Sequence, residues 1–254
     1  MPSHVVFIAG ASGYTGREVV RVCRTRQVTT VAHVRPDSPS LDRWRQRFAS
    51  LGATVDTTPW EEAALAAALA RVSPTHVFAL LGTTRARAQR DPHATAPREG
   101  AGTTDPYERV DYGLTAMLLR AAAGCGTRPR FVYLSALGAR EDSRNAYLRA
   151  RGRLEREIRR SGLPFLIVRP SFITGPDRDE PRPLERTAAI VLDGALALLG
   201  ALGADTLRDR YRSLTGARLA EGMVRLALES RTESMVVDAA AVRSAARHAG
   251  RKWG

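Results

Sequence analysis

The sequence predicts an α/β protein built on a doubly wound parallel sheet. Three observations predict it. Short apolar runs alternate with helix-compatible segments from Val5 to Arg169. The runs are almost continuously apolar, as in Phe165-Leu166-Ile167-Val168, which suits strands covered on both faces. A glycine-spaced turn, Gly10-Ala11-Ser12-Gly13-Tyr14-Thr15-Gly16, follows the first run directly and opens a helical stretch. Strands separated by helices require crossover connections, and so a parallel sheet with helices on both sides.

In chain order, Val5 to Ala9 is the first strand and Arg17 to Arg26 the helix-compatible segment after the turn. Val28 to Val34 is the second strand and Leu41 to Leu51 a short helix. Thr54-Val55 forms a brief third strand, and Thr58-Pro59 starts an alanine-rich helix over Glu61 to Val72. Thr75 to Leu81 is the fourth strand and Tyr107 to Gly124 a long helix. Pro129 to Ser135, Asn145 to Ser161 and Pro164 to Arg169 are the fifth strand, a helix and the sixth strand. Two stretches depart from this rhythm. Thr84 to Thr104, rich in Arg, Pro, Gly and Thr, reads as a loop at the carboxyl edge of the sheet, where ligands bind. Thr187 to Ala204 is apolar but carries Asp193 and three glycines, short of an uninterrupted membrane span. It reads as a substrate-side helix or subunit contact in preference to a membrane-surface contact.

A chain of 254 residues suits a single domain over 1–254. Apolar residues at 44% and charged residues at 26% are the values of a soluble globular protein. The first residues show no charged leader with an apolar core and cleavage site, so a cytoplasmic protein is expected. Cys23 and Cys125 read as buried reduced thiols, and the five histidines show no ligand spacing, so no metal site is expected. The formal charge is +13, but 38 of the 39 basic residues are arginine, scattered along the chain, with Lys252 the sole lysine. No basic stripe interleaves with aromatics, which argues against a specific nucleic-acid partner and leaves non-specific adhesion at low salt.

The turn carries the first chemistry. Gly10 permits the tight bend, Gly13 lets the backbone approach phosphates, and Gly16 lets helix and strand pack closely, with Ser12, Tyr14 and Thr15 between them. Backbone N–H groups at the positive end of the helix then receive a dinucleotide pyrophosphate. At the end of the second strand Val34 is followed by Arg35, where an acid would hold the ribose 2′-hydroxyl of NAD. A guanidinium pairs with a 2′-phosphate, so NADP(H) is favoured, with NAD(H) possible. Asp37 leaves room for a carboxylate at the ribose, and Arg35 is also readable as one more surface arginine. Asp56 either accepts a hydrogen bond from the adenine amino group or serves a helix start. Leu81-Gly82-Thr83 either passes beside the adenosine ribose or simply ends the fourth strand. Ser135 closes the fifth strand, and Tyr147 and Arg151 lie four apart on one helix face. Together they suit carbonyl reduction: the tyrosine donates a proton to the developing alkoxide, the cation stabilises the tyrosinate, and the serine orients the carbonyl.

These segments resemble an atypical short-chain dehydrogenase/reductase, above all the Tat-interactive-protein oxidoreductase branch and its NmrA-like relatives. The resemblance runs through GASGYTG from Gly10 to Gly16, Leu81-Gly82-Thr83-Thr84-Arg85, Val110-Asp111-Tyr112, YLRARGRLE from Tyr147 to Glu155, and Arg169-Pro170-Ser171-Phe172. It implies a Rossmann domain with a small C-terminal substrate-side region from roughly Gly175. It also implies that Pro170, Ser171, Phe172 and Ile173 line the nicotinamide, that Tyr147 and Arg151 reach the cofactor, and that Asp111 replaces an asparagine of a proton relay. The family's lysine four residues after the tyrosine is here Arg151. Two functions follow: an NADP(H)-dependent oxidoreductase acting on a small carbonyl, hydroxyl or sugar-nucleotide-like substrate, or a non-catalytic NADP(H)-binding regulator with a protein partner. Helices of this fold also often pair into homodimers.

Overall fold

A computed structural model describes residues 4–82, 107–170, 173–174 and 214–247, with backbone alone for 173–174. Seven strands form one all-parallel sheet: β1 (Val5–Ala9), β2 (Thr29–His33), β3 (Thr54–Asp56), β4 (His76–Ala79), β5 (Arg130–Leu134), β6 (Phe165–Arg169) and β9 (Ser234–Asp238). Their spatial order is β3-β2-β1-β4-β5-β6-β9. A separate parallel pair joins β7 (Ile173–Thr174) to β8 (Leu214–Thr215). The helices are α1 (Tyr14–Thr25), α2 (Leu41–Ser50), α3 (Glu62–Val72), α4 (Thr115–Gly124), α5 (Ala146–Arg160), α6 (Gly216–Glu229) and α7 (Ala239–Arg247). This is the Rossmann arrangement the sequence predicts.

Alternation along the strands explains why they read as continuous apolar runs. Val6 and Ile8 of β1 face one layer with Val19, Val20, Leu219 and Met223, while Phe7 and Ala9 face another with Leu65, Leu69, Leu118 and Leu154. With helices on both sides, neither set meets water. Strand order reverses between β1 and β4, the switch point outside which ligands bind in such sheets.

One difference from the sequence reading has a physical cause. The helix expected over Tyr107–Gly124 begins as a π-helical segment, Tyr107–Leu114, and becomes α-helical only at Thr115. The widened turns place Glu108 against Arg153 (2.7 Å) and Asp111 against Arg151 (2.5 Å), both on α5. Such segments are uncommon and concentrate at functional sites. Of the stretch from about Gly175 onward, the described part joins the core. β9 pairs along its whole length with β6, and α6 lies on α1, where Arg26 bridges Glu221 (2.5 Å) and Glu229 (2.6 Å). Arg130, from the start of β5, donates to the carbonyls of Ala227 (2.9 Å) and Leu226 (3.3 Å) at the end of α6, satisfying groups a helix terminus leaves unpaired. The Thr84–Thr104 and Thr187–Ala204 segments lie outside the described residues.

His76 begins β4 with 7% of its surface exposed, between Thr75 Oγ1 (2.9 Å) and the Ala227 carbonyl (2.9 Å). Burial, aided by the charges of His4 and Arg130, pushes it down to about 4 from 6.5. His33 shifts the same way, chiefly by burial. The unfolded chain therefore binds more protons than the folded one between these values. Stability is full above about pH 6.5 and falls as pH drops towards 4, by about 3 kcal/mol from His76 alone. Urea unfolding at pH 7 and 4.5 checks this; a His76→Gln variant with an equally steep pH dependence would refute the assignment.

Candidate functional site

The carboxyl ends of β1, β2, β4, β5 and β6 bring the glycine turn, Arg35, Leu81, Ser135 and Pro170 to one edge of the sheet. At the turn, Gly10 has φ +83°, and a Cβ there would sit 2.7 Å from the Leu80 carbonyl oxygen. Gly13 donates to the Gly10 carbonyl (3.0 Å) and caps α1 with extended backbone (φ −72°, ψ 165°) and no side-chain cap. A Cβ on Gly16 would overlap the Gly10 oxygen and stand 2.8 Å from Ala11 Cα. The first turn of α1 holds no acid. This cradle, kept clear of side chains at a positive helix end, fits a pyrophosphate. Thr15 is buried, and the Tyr14 ring lies against Gly216 at the start of α6, where a Cβ would come within 2.5 Å of it. Tyr14 thus ties the turn to α6, a contact the local motif does not announce.

Arg35 sits just past β2 with its Nε 3.8 Å from Asp37 Oδ1. Asp56 is turned inward on the loop: its oxygens accept from the Thr58 N–H (3.0 Å) and Thr58 Oγ1 (3.1 Å), and Arg71 lies 3.6 Å away. The Asp56 carboxylate thereby holds the turn leading into α3. Gly82 leaves room for its neighbour, since a Cβ there would meet Arg151 Nη2 at 2.8 Å and displace the end of that side chain. Thr83, Ser171 and Phe172 lie outside the described residues, and Ile173 is described only as backbone in β7.

Tyr147 occupies the first turn of α5, which Asn145 caps by accepting from the Leu148 N–H (3.3 Å). Its ring meets Tyr107 edge to face at 5.5 Å, and the Arg151 guanidinium lies 5.1 Å from its centre. Arg151 is 4% exposed. It donates to Asp111 Oδ1 (2.5 Å), the Leu81 carbonyl (3.1 Å), the Tyr133 hydroxyl (3.3 Å) and the Leu134 carbonyl. Asp111 is fully buried. Burial opposes the charge on Arg151, but the hydrogen bond to the Tyr133 hydroxyl and the Asp111 carboxylate keep the guanidinium charged. Burial also pushes the Tyr133 hydroxyl well above its ordinary range, so it remains a neutral phenol. The charged Arg151 guanidinium therefore lies against the Tyr147 ring.

Ser135 is 3% exposed, and its hydroxyl donates to Glu155 Oε1 at 2.6 Å. Glu155, 1% exposed, also accepts from Arg169 Nε (2.8 Å) and Nη2 (2.6 Å) and from Arg159 (3.1 Å). Sequence reasoning assigned no role to Glu155, Arg169 or Tyr133. The available signal was spacing: Tyr147, Arg151, Glu155 and Arg159 recur every fourth residue, continuing one helix face with charges. Gly152 completes the site, because a Cβ there would stand 2.6 Å from Glu141 N and push the loop after β5 off α5.

A family model described as NAD(P)H-binding matches residues 10–194. Protein fmp52-1, mitochondrial, of Aspergillus terreus is 29% identical over 191 residues, covering 73% of each chain. A candidate epimerase from Burkholderia cenocepacia superposes with a TM-score of 0.62 at 18% identity, covering 97% of this chain and 81% of that one. UDP-N-acetylglucosamine 4-epimerase from Bacillus cereus gives 0.56 at 15%, covering 92% and 76%. At these identities the superpositions show a common fold. The fungal names correct one expectation: several relatives are named mitochondrial, which overturns the cytoplasmic reading. That reading looked for a secretory leader, whereas mitochondrial targeting segments are amphipathic, arginine-rich and poor in acids, with no apolar core to find.

Proposed function

Because this chain belongs to the NAD(P)H-binding family, matched over residues 10–194, and has the fold of atypical short-chain dehydrogenase/reductases, we propose that it is an NADP(H)-dependent oxidoreductase. Its substrate is a small carbonyl or hydroxyl compound, or a sugar-nucleotide-like one. The observation that carries this reading is Tyr147 above a buried cation, 5.1 Å from its ring, at the sheet edge that holds the glycine cradle. Gly10, Gly13 and Gly16 would hold the pyrophosphate, and Leu81, Gly82 and Pro170 would border the ribose and nicotinamide. The cofactor, when bound, supplies or accepts the hydride.

Tyr147 Oη then donates its proton to the alkoxide oxygen as the carbonyl is reduced, or takes it back in oxidation. The Arg151 charge favours the tyrosinate left behind, and Asp111 keeps that guanidinium in place. Ser135, already donating to Glu155, meets the substrate as an acceptor, which suits a substrate hydroxyl better than a carbonyl. Replacing Tyr147 with Phe is expected to reduce carbonyl-dependent NADPH oxidation by at least about 100-fold while leaving NADPH affinity in place. Stopped-flow absorbance at the nicotinamide band and calorimetry measure the two quantities; undiminished turnover would remove Tyr147 from the mechanism.

The Ser135–Glu155 bond and the burial of Arg151 favour a second reading, a cofactor-binding regulator without turnover. It predicts tight NADPH binding, no oxidation on a carbonyl and hydroxyl panel, and a protein partner captured only when NADPH is present.

A further inference from the structure

Tyr147 is half-buried in the first turn of α5, directly after the Asn145 cap, where a helix backbone is least firmly held. Its ring therefore depends on its neighbours for its place. Two of them meet it: the Arg151 guanidinium, 5.1 Å from the ring centre, and the Tyr107 ring, 5.5 Å away at 63°. Arg151 is fixed independently of the tyrosine by Asp111 and by the Leu81 and Leu134 carbonyls.

Tyr107 is equally well anchored. It begins the π-helical segment, which runs for eight residues, longer than the single-turn bulges in which such geometry ordinarily occurs. That segment is fastened to α5 along its length. Glu108 pairs with Arg153 (2.7 Å), and Asp111 with Arg151 (2.5 Å). The Tyr112 hydroxyl donates to Glu157, and the Arg153 guanidinium lies 4.2 Å from the Tyr112 ring centre. An edge-to-face pair sets the positive edge of one ring on the negative face of the other, which resists both tilting and displacement. It needs an aromatic ring at position 107 and no hydroxyl. Proton transfer in turn needs the Tyr147 hydroxyl within hydrogen-bond reach of the reacting oxygen, so a small displacement of the ring lowers the rate. We propose that Tyr107 is a positioning residue: its ring fixes the phenol of Tyr147 for proton transfer, and the π-helical segment is the support that brings it there. The proposal rests on the assignment of Tyr147 above.

The test compares Tyr107→Phe, Tyr107→Leu and Tyr107→Met, alone and in the Tyr147→Phe background, with NADPH and para-nitrobenzaldehyde as the first probe of a carbonyl panel. The Leu and Met variants are expected to lose roughly three- to tenfold in kcat, with KM and NADPH affinity within about twofold of wild type. Tyr107→Phe, which keeps the ring, is expected to retain kcat. In the Tyr147→Phe background none of the three is expected to change the residual rate, since the ring being positioned has lost its hydroxyl. Fluorotyrosine placed at Tyr147 is expected to show a fluorine resonance that Tyr107→Leu shifts and Tyr107→Phe preserves. Tyr112→Leu, on the same segment but in contact with Glu157 and Arg153, is expected to lower the unfolding temperature and spare kcat. Tyr107→Leu and Tyr107→Met as fast as wild type overturn the proposal while the assignment of Tyr147 stands. So does a fall in Tyr107→Phe equal to that in Tyr107→Leu, or a further fall in the Tyr147→Phe background. A wild type without turnover on the panel, or Tyr147→Phe as fast as wild type, overturns both.

Discussion

Arg151→Met is expected to destabilise the protein by about 3–5 kcal/mol, because it takes the guanidinium away from a buried carboxylate. Asp111 has no exposed surface, and Arg151 Nη2 is 2.5 Å from its Oδ1. With the guanidinium gone, the Leu81 and Leu134 carbonyls lose their donor as well. The effect belongs to the pair. A double Asp111→Leu/Arg151→Met variant should recover a large part of the loss, since replacing both charges with apolar groups removes the desolvation cost together with the attraction. Urea unfolding of the two single variants and the double completes the cycle. A double variant as unstable as the sum of the singles would show that the two charges act independently. Arg151→Lys is expected to fall between wild type and Arg151→Met, because one ammonium cannot span Asp111, two carbonyls and the Tyr133 hydroxyl from a single point.

Gly16→Ala is expected to abolish NADPH binding and to cost about 1–3 kcal/mol of stability. Its Cβ would overlap the Gly10 carbonyl oxygen and press on Ala11 at 2.8 Å, backbone that cannot yield without opening the turn. Gly13→Ala separates the two effects. There the added Cβ is 3.2 Å from the Gly10 oxygen, which needs a shift of only a few tenths of an ångström. The fold should persist, while the methyl group stands where the pyrophosphate approaches the backbone and cofactor affinity falls by about tenfold or more. Differential scanning calorimetry beside NADPH titration tests both variants. Full cofactor affinity in Gly16→Ala would move the phosphate site away from this turn.

The strands were legible from composition because a parallel sheet covered on both faces needs apolar residues at every position, and Val5–Ala9 and Phe165–Arg169 are such runs. The turn was legible because its function is local: a sharp bend and a helix start need glycine at fixed spacing. Tyr147 and Arg151 were legible as neighbours because four residues span about one helical turn. The π-helical start at Tyr107–Leu114 was not legible, since its widened turns are held by charges on another helix.

From Val5 to Arg169, then, local pattern alone specified the alternating layers, the glycine turn and the shared helix face of Tyr147 and Arg151. These depend on residues close together in the chain. Folding added what depends on burial and on distant partners. Arg151 became the mate of Asp111, forty positions away, and the Ser135 hydroxyl went to Glu155. β9 completed the sheet against β6. An arginine or a glutamate looks the same in a sequence whether it faces water or carries a buried charge. Desolvation decides which opposite charge it must find, and that becomes visible only once the sheet and helices have closed around it.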